Sequence, residues 1–223
     1  MTDDLIRWDW LADNVDVIGE QLLQHLSLTL LAVGIGLLIS FPLAVYAHRH
    51  RRWYPPITWV TGILYTIPSL ALFAFLVPFF GLSTLTAEIG LVSYTLLILI
   101  RNTVAGLGGV PEDVKEAARG VGYTGRELLW RVEVPLALPV IVAGIRIATV
   151  TTIGLVTVTA LIGKGGVGFF FLAGFRRLYP TTTAILLGLV LSVALALAAE
   201  GLLLSGQRIL MPWARARKVR SAT

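Results

Sequence analysis

The sequence predicts an all-helical polytopic membrane protein with about five transmembrane helices. Hydrophobic residues make up 56% of the 223 residues and charged residues only 14%, and the apolar residues form long uninterrupted blocks. A bilayer core of roughly 30 Å needs about 20 residues of helix to cross it. In lipid, only helices and closed barrels satisfy their backbone hydrogen bonds, and blocks without strand-like alternation favour helices.

Five blocks are long enough to span a membrane. They cover residues 26–47, 57–80, 89–109, 135–162 and 181–206. We therefore expect a transmembrane domain over residues 26–206. An extracytoplasmic N-terminal segment, 1–25, is expected before it and a basic cytoplasmic tail, 207–223, after it.

The charges that flank the blocks predict the orientation. Basic residues follow the first block within residues 48–52 and follow the fifth block within residues 208–220. Such residues mark the cytoplasmic side of a membrane protein. Five spans place both regions on one side, so we expect a cytoplasmic C-terminus and an acidic N-terminus outside. The basic residues of the loop 163–180 dissent mildly, since that loop is then external.

Composition argues against several classes of function. The chain has no cysteine, which excludes disulfides and thiol chemistry, and its three histidines lack partners at ligand spacing, so no metal site is expected. The net charge of +5 is attributed to topology and not to nucleic-acid binding. The first residues are acidic where a secretory signal is basic, so no cleavable signal is expected.

One glycine-rich stretch superficially suggests nucleotide binding. Residues 163–168 read Gly-Lys-Gly-Gly-Val-Gly, without the closing Lys-Ser/Thr of a phosphate loop and without a preceding strand. No other stretch offers such a loop. We therefore expect no catalytic residue in this chain, which is not predicted to be an enzyme.

The loop 110–134, predicted to be cytoplasmic, starts with a helix signal. Pro111 is suited to the first helical position, and the two carboxylates that follow it lie near the positive end of the helix dipole. Gly120 and Gly122 can end this helix in a left-handed cap.

A second short helix is predicted directly after the glycines. Thr124 and Glu127 have the spacing of a capping box. Pro135 is expected to limit this helix, because a residue before proline disfavours helical geometry. On these signals alone, the two-helix loop is equally well explained as an amphipathic surface element.

A resemblance to a known family changes that balance. The loop reads Glu116-Ala117-Ala118, three residues, Gly122, nine residues, then Val132-Glu133-Val134-Pro135. It resembles the EAA signature of ABC-importer permeases, E-A-A, three residues, G, nine residues and I-x-L-P, with valines replacing isoleucine and leucine. In that family the loop docks on an ATPase. The resemblance therefore implies an ATPase-coupling role for Glu116, Ala117, Ala118, Gly122 and Pro135.

Further stretches resemble the osmoprotectant branch of these permeases, whose solutes include glycine betaine, carnitine and choline. These stretches lie within residues 65–72, 101–107, 146–154 and 160–168. The resemblance implies a type I ABC importer permease that translocates a small compatible solute by alternating access. The resemblance further implies that the chain lies in the cell membrane as a multi-pass subunit.

The resemblance also implies partners and leaves alternatives open. Two ATPase subunits bind ATP and Mg, a second permease is identical or paralogous, and a separate extracytoplasmic binding protein delivers the solute. This chain itself is expected to hold no cofactor. The alternatives are a permease for another solute such as methionine, a secondary transporter or channel, or a membrane scaffold. Secondary transporters commonly show internal repeats and ionisable residues near the midplane of the membrane. This sequence has no convincing repeat and few such residues, which argues against that class.

Seven polar residues in the second, third and fourth blocks, together with the proline that Thr66 and Ser69 flank, are candidates for the translocation path. They are Thr66, Pro68, Ser69, Asn102, Thr149, Thr151, Thr152 and Thr157. Each alone more often serves helix packing, but together they predict a weakly polar conduit that suits a zwitterion or an organic cation.

Three charged residues inside the blocks are either structural or part of a gate. Arg101, Arg146 and Glu200 are costly in lipid, and Arg146 and Glu200 can form a pair. Three prolines, Pro42, Pro68 and Pro78, are expected to kink their helices because each removes a backbone donor.

Overall fold

A computed structural model describes residues 6–211, which are helical throughout apart from short connections and contain no β-strand. The helices are α1 (Trp8–Asp13), α2 (Val15–Arg49), α3 (Tyr54–Thr66), α4 (Ser69–Phe80), α5 (Thr84–Gly108), α6 (Glu112–Gly120), α7 (Gly125–Leu128), α8 (Val134–Val158), α9 (Gly168–Phe175) and α10 (Thr181–Leu210). Residues 212–223, which carry most of the predicted basic tail, lie outside the described part of the chain.

Within residues 6–211, four helical stretches are long and apolar enough to cross a membrane. They are α2, α5, the continuous stretch Gly125–Ile162, which includes α7 and α8, and residues Thr181–Ile209 of α10. The fifth predicted span differs from expectation, because α3 and α4 meet at an angle of 93°. The bent pair completes the five spans if it is counted as one broken span.

The bend between α3 and α4 lies at Pro68. Ile67 has extended backbone angles, as expected for a residue before proline, and Pro68 lacks the amide that would continue the helix. The Tyr94 hydroxyl of α5 donates to the Ile67 carbonyl at 2.5 Å, so an acceptor freed by the break is satisfied. Pro42 and Pro78, by contrast, lie inside helices that continue past them. Of the three prolines expected to kink their helices, only Pro68 lies where a helix is interrupted.

Three membrane helices, α2, α5 and α8, form the centre of the bundle. Leu28, Leu91 and Val156, one from each helix, belong to one buried apolar cluster. Small residues allow close approach: Gly36 of α2 lies against Thr95 of α5, and Gly144 of α8 lies against Asn102 of α5. This is the packing expected where helices associate through van der Waals contact in lipid.

Long-range hydrogen bonds tie segments together at the two ends of the bundle. At one end, the Arg7 amide donates to the Thr183 hydroxyl at 3.0 Å, and the Gly166 amide donates to Gln24 at 2.9 Å. At the other end, the Arg49 guanidinium donates to the Gly125 carbonyl at 2.7 Å. The basic linker after α2 and the loop that contains α6 therefore lie at the same end, as the five-span topology requires.

The glycine-rich stretch 163–168 is a packed turn. Gly163 and Gly166 have positive φ angles of 75° and 49°. A Cβ at Gly166 would overlap the backbone of His25, and one at Gly168 would overlap the backbone of Thr157. These glycines are therefore explained by turn geometry and close backbone contact.

Candidate functional site

Helix α6 lies at the end of the bundle that the charges predict to be cytoplasmic. It has one buried and one exposed face. Lys115 and Ala118 are buried, whereas Glu116 and Ala117 are exposed. Three of these residues belong to the signature, and the helix divides them: Ala118 packs inward, and Glu116 and Ala117 are accessible to a partner. The exposed pair is thus available for the predicted ATPase contact.

The end of α6 explains the spacing between Ala118 and Gly122. The Tyr123 amide donates to the Ala118 carbonyl at 3.1 Å, and the Gly122 amide donates to the Arg119 carbonyl at 3.0 Å. Gly122 has a φ of 90°. These two bonds and the positive φ form a Schellman motif, in which the residue four positions after Ala118 adopts a left-handed conformation. The predicted glycine cap is confirmed, and Gly122 is the residue that provides it.

The capping box predicted for the second short helix is present. The Glu127 amide donates to the Thr124 hydroxyl at 3.3 Å, and the Thr124 amide donates to the Glu127 carboxylate at 3.0 Å. Both groups at the start of α7 are therefore satisfied locally. With the Schellman motif directly before it, the loop has a fixed helix–turn–helix geometry.

Pro135 does not limit the second helix, which corrects the expectation from the sequence. Helix α7 continues through a π-helical stretch, Leu129–Glu133, directly into α8. Val134, before the proline, has helical φ and ψ of −62° and −49°. Pro135 lies two residues after the π-helical stretch, and the wide π turn changes the hydrogen-bond register at the position where the proline lacks an amide.

This continuity joins the signature loop rigidly to a membrane helix. The stretch Gly125–Ile162 has 38 residues, which corresponds to about 57 Å of helix at 1.5 Å per residue. Leu129, in the π-helical stretch, packs in one buried cluster with Leu107 of α5 and Ile141 of α8. A displacement of α7 therefore acts directly on α8 and its neighbours.

Glu112, in the first turn of α6, organises two cations of that helix. Its carboxylate accepts from Lys115 at 3.1 Å and from Arg119 at 3.0 Å. The hydrogen bonds from Lys115 and then Arg119 hold the pKa of Glu112 below its ordinary value. The carboxylate is exposed, so this pair is expected to order the helix surface with a small effect on stability.

The candidate path residues are distributed over three spans with different exposure. Thr66 and Pro68 are exposed at the bend between α3 and α4, and Ser69 is half-buried beside them. Asn102, Thr151 and Thr157 are half-buried, and Thr149 and Thr152 are buried. The structure groups Thr66, Pro68 and Ser69 at one bend, whereas Thr151 lines a cavity between α8 and α10.

Many of the candidate polar groups bond to their own helix. Thr66 donates to the Ile63 carbonyl at 2.8 Å, Thr149 to Ile145 at 2.8 Å, and Thr157 to Gly154 at 2.7 Å. The Asn102 amide donates to the Ile98 carbonyl at 2.8 Å. Such bonds remove the cost of a polar group in lipid and leave a weakly polar surface. The path assignment stays a prediction.

The three charged residues within the predicted spans have different environments. Arg101 is exposed. Arg146 and Glu200 are partly buried, pair with each other, and line a cavity of about 480 Å³ between α8 and α10 together with Thr151.

Two polar residues are buried in a way that the sequence did not indicate. His25 of α2 is fully buried, and Glu88 of α5 is 8% exposed. Neither side chain has a hydrogen-bond partner within the described residues. Glu88 lies one turn after Thr84, which lines a cavity with α2, and one turn before Leu91, which packs against α2. A carboxylate buried inside a membrane protein is a signal for function, but Glu88 directly precedes the third predicted block, so none of the predicted spans contained it.

The chain is similar to proteins of a known family over most of its length. The profile of the family described as binding-protein-dependent transport system inner membrane component matches residues 32–208. The osmoprotectant import permease protein OsmW of Salmonella typhimurium is 36% identical over 91% of this chain and 96% of its own length. The glycine betaine/carnitine/choline transport system permease protein OpuCB of Bacillus subtilis is 37% identical over 70% of this chain and 72% of its own.

A solved structure shares the fold. A chain of the MetNI methionine ABC transporter in an inward-facing conformation superposes with a TM-score of 0.71. The superposition covers 84% of this chain and 95% of that one at 20% sequence identity. This likeness concerns the arrangement of the helices alone.

Proposed function

This chain belongs to the family of binding-protein-dependent transport system inner membrane components, and we propose that it imports a small compatible solute as the permease subunit of an ATP-driven ABC importer. The proposed coupling to an ATPase rests on one observation, the helix–turn–helix formed by α6 and α7. It exposes Glu116 and Ala117 and continues without a break into α8.

The proposed mechanism transmits ATPase movement through that continuity. An ATPase that binds α6 and α7 displaces the cytoplasmic end of the α7–α8 stretch. The stretch then moves as one unit within the bundle. The bond between Arg49 and the Gly125 carbonyl connects the same movement to α2. Alternating access is then a shift between two packings of the bundle, each favoured by one state of the ATPases.

The proposed partners are two ATPase subunits, a second permease and an extracytoplasmic binding protein. ATP and Mg are proposed to bind to the ATPases. The N-terminus is proposed to lie outside and the C-terminus in the cytoplasm, supported by the basic residues after α2 and by the common position of that linker and the signature loop.

The proposed solute is a quaternary ammonium compound such as glycine betaine, carnitine or choline. Support comes from the names of the two relatives reported above, which concern osmoprotectant import and glycine betaine/carnitine/choline transport. Methionine is favoured only by a likeness of fold at 20% identity. A weakly polar path suits a zwitterion or organic cation that is delivered by a separate binding protein.

Reconstituted transport tests the proposal. The permease is purified with the ATPase that copurifies with it, placed in liposomes with the cognate binding protein, and supplied with ATP. We expect ATP-dependent uptake of labelled glycine betaine, carnitine or choline and none of methionine. Uptake that persists without the ATPase, driven by an ion gradient, would assign the chain to secondary transport instead.

Labelling tests the orientation separately. The chain has no cysteine, so single cysteines at Asp9 and Arg51 can be compared without background. An impermeant thiol reagent applied outside is expected to label the Asp9 position and not the Arg51 position. The reverse result contradicts the proposed orientation.

A further inference from the structure

A basic pocket lies where the end of α2 meets the signature loop. Its volume is about 340 Å³, and its charged lining is formed by Arg49, Arg51, Lys115, Arg119 and Glu133, with His48 beside them. Its cations come from two segments of the chain that are distant in sequence. We propose that this pocket binds the phosphate-bearing headgroup of an anionic phospholipid.

The charges of the pocket favour an anionic occupant. Four permanent cations face two carboxylates, Glu133 in the lining and Glu112 at its edge, so a net positive charge remains. Lys115 and Arg119 share the single carboxylate of Glu112, which leaves donor capacity on both. Guanidinium forks and ammonium groups in one concave site are well suited to phosphate oxygens.

The position of the pocket relative to the membrane favours a lipid as the source of that phosphate. Aromatic residues surround this end of the bundle with large exposed surfaces: Trp53 is 43% exposed, Trp130 is 53% exposed and Tyr46 is 43% exposed. Such residues collect at the level of the lipid headgroups. Basic pockets at this level on the cytoplasmic side attract anionic headgroups, which are concentrated there by the bilayer itself.

The pocket lies on the side of α6 that faces the membrane bundle. Lys115 is buried on that side, whereas Glu116 and Ala117 are exposed on the other. A lipid in the pocket and an ATPase on the exposed face therefore occupy different surfaces, a separation that rests on the proposed ATPase coupling. A bound headgroup would connect the linker after α2 to the loop and hold their relative positions.

Lipid binding by the full-length chain tests the inference, with matched variants available in both segments. Arg51→Gln with Arg119→Gln removes two pocket cations. Arg52→Gln with Arg126→Gln removes two exposed cations from the same linker and loop, neither of which lines the pocket. Each protein is placed in nanodiscs of phosphatidylcholine with a variable fraction of phosphatidylglycerol, and tightly retained lipid is measured by native mass spectrometry.

We expect retained phosphatidylglycerol on the unaltered chain and on the control variant. Each pocket cation removed should weaken retention about fivefold. Equal losses in the pocket and control variants, or equal retention of phosphatidylcholine, would overturn the proposal. If inorganic phosphate displaces the lipid at equal concentration, the site belongs to a free anion and the lipid assignment is wrong.

Two further measurements keep the result unambiguous. Arg51→Gln alone, in the exposed linker, provides a variant that does not depend on the stability of α6. Copurification of the ATPase is measured in the same samples: lost ATPase binding with unchanged lipid retention assigns the pocket to the ATPase and overturns the proposal. Lost lipid with retained ATPase and retained transport supports it and leaves the proposed function intact.

Discussion

Arg146 of α8 and Glu200 of α10 form a bidentate ion pair within the membrane-spanning part of the bundle. The Arg146 Nε donates to one carboxylate oxygen of Glu200 at 3.1 Å, and a second guanidinium nitrogen donates to the other oxygen. Gln207 accepts a further bond from Arg146 at 3.4 Å. The pair therefore holds α10, which packs mainly on α8 and α9, to the centre of the bundle.

Replacement of Glu200 alone is expected to lower the stability of the protein more than replacement of both Arg146 and Glu200 by apolar residues. Glu200→Gln should lower the free energy of unfolding, because an unpaired guanidinium remains within a membrane-spanning helix. The double variant Arg146→Met/Glu200→Leu should recover most of that loss and retain transport. Thermal unfolding in detergent and reconstituted uptake measure the two effects. A double variant that is stable but inactive contradicts a structural role and indicates a gate.

A second prediction concerns the turn after α6. Gly122→Val should abolish transport-coupled ATP hydrolysis without affecting membrane insertion, because a β-branched residue resists the φ of 90° at this position. Space is not the constraint, since a Cβ at Gly122 would meet no atom within 4 Å. The effect should therefore be one of backbone strain.

Gly120 provides a matched control for Gly122. It lies two residues earlier in α6, and a Cβ there also meets no atom within 4 Å. Gly120 has ordinary helical geometry, so Gly120→Ala should be tolerated and slightly stabilising. Glu116→Ala, on the exposed face, should impair coupling without changing the helix. Normal coupled hydrolysis in both Gly122→Val and Glu116→Ala would refute the role assigned to the loop.

A third prediction concerns pH and Glu112. The folded pKa of Glu112 is below its ordinary value of 4.5 because of Lys115 and Arg119. Its ordering effect on α6 is therefore complete above the unfolded pKa and is lost as the pH falls through the lower folded value. Amide hydrogen exchange in α6, corrected for intrinsic rates, should show weaker protection in that acidic range.

Asp113 provides the control for this pH dependence. Glu112→Gln should remove the additional loss of protection at acidic pH, whereas Asp113→Asn, one residue later in the same exposed first turn, should preserve it. An unchanged profile in Glu112→Gln would show that another group controls the order of α6.

The fold was largely predictable from the sequence, and the exceptions have physical causes. Apolar blocks and capping signals are local, so they identified the spans, the Schellman glycine and the capping box. Pro135 does not end its helix, because a π-helical stretch directly before it changes the hydrogen-bond register, and no local sequence pattern indicated that stretch. Pro68 broke its helix while Pro42 and Pro78 did not, and Tyr94, distant in sequence, bonds the carbonyl that the break exposes.

The site was less predictable than the fold. A match to a signature identifies Glu116 and Gly122 by position, but the division of α6 into a buried and an exposed face needed the structure. His25 and Glu88 are buried by contacts among α2, α5 and the 163–168 turn, which no local pattern records. The path residues stay a prediction, because many of these polar side chains bond to their own helix and such bonds do not distinguish packing from a path.

A fourth prediction concerns helix packing in the membrane. Gly36→Ala should lower stability by about 1–3 kcal/mol, because the added Cβ would overlap the Thr95 side chain and force α2 and α5 apart. Gly34, on the same helix, has no neighbouring atom within 4 Å of its Cβ position, so Gly34→Ala should be neutral. Equal thermal stability of the two variants would contradict the close approach of these helices.

The last prediction concerns the bend at Pro68, where three of the candidate path residues lie. Tyr94→Phe keeps the aromatic contact with Tyr65, whose ring lies 6.0 Å from that of Tyr94, but removes the hydroxyl that bonds the Ile67 carbonyl. The unsatisfied carbonyl should cost about 1–2 kcal/mol of stability. Tyr65→Phe is the matched control, because it preserves the ring pair and the bond to Ile67.

If the bend lines the path, a single cysteine at Thr66 should react with a small thiol reagent at a rate that depends on nucleotide in the assembled transporter. Tyr94→Phe should reduce that dependence and Tyr65→Phe should not. A reaction rate at Thr66 that is the same with and without nucleotide removes the bend, and with it Pro68 and Ser69, from the path.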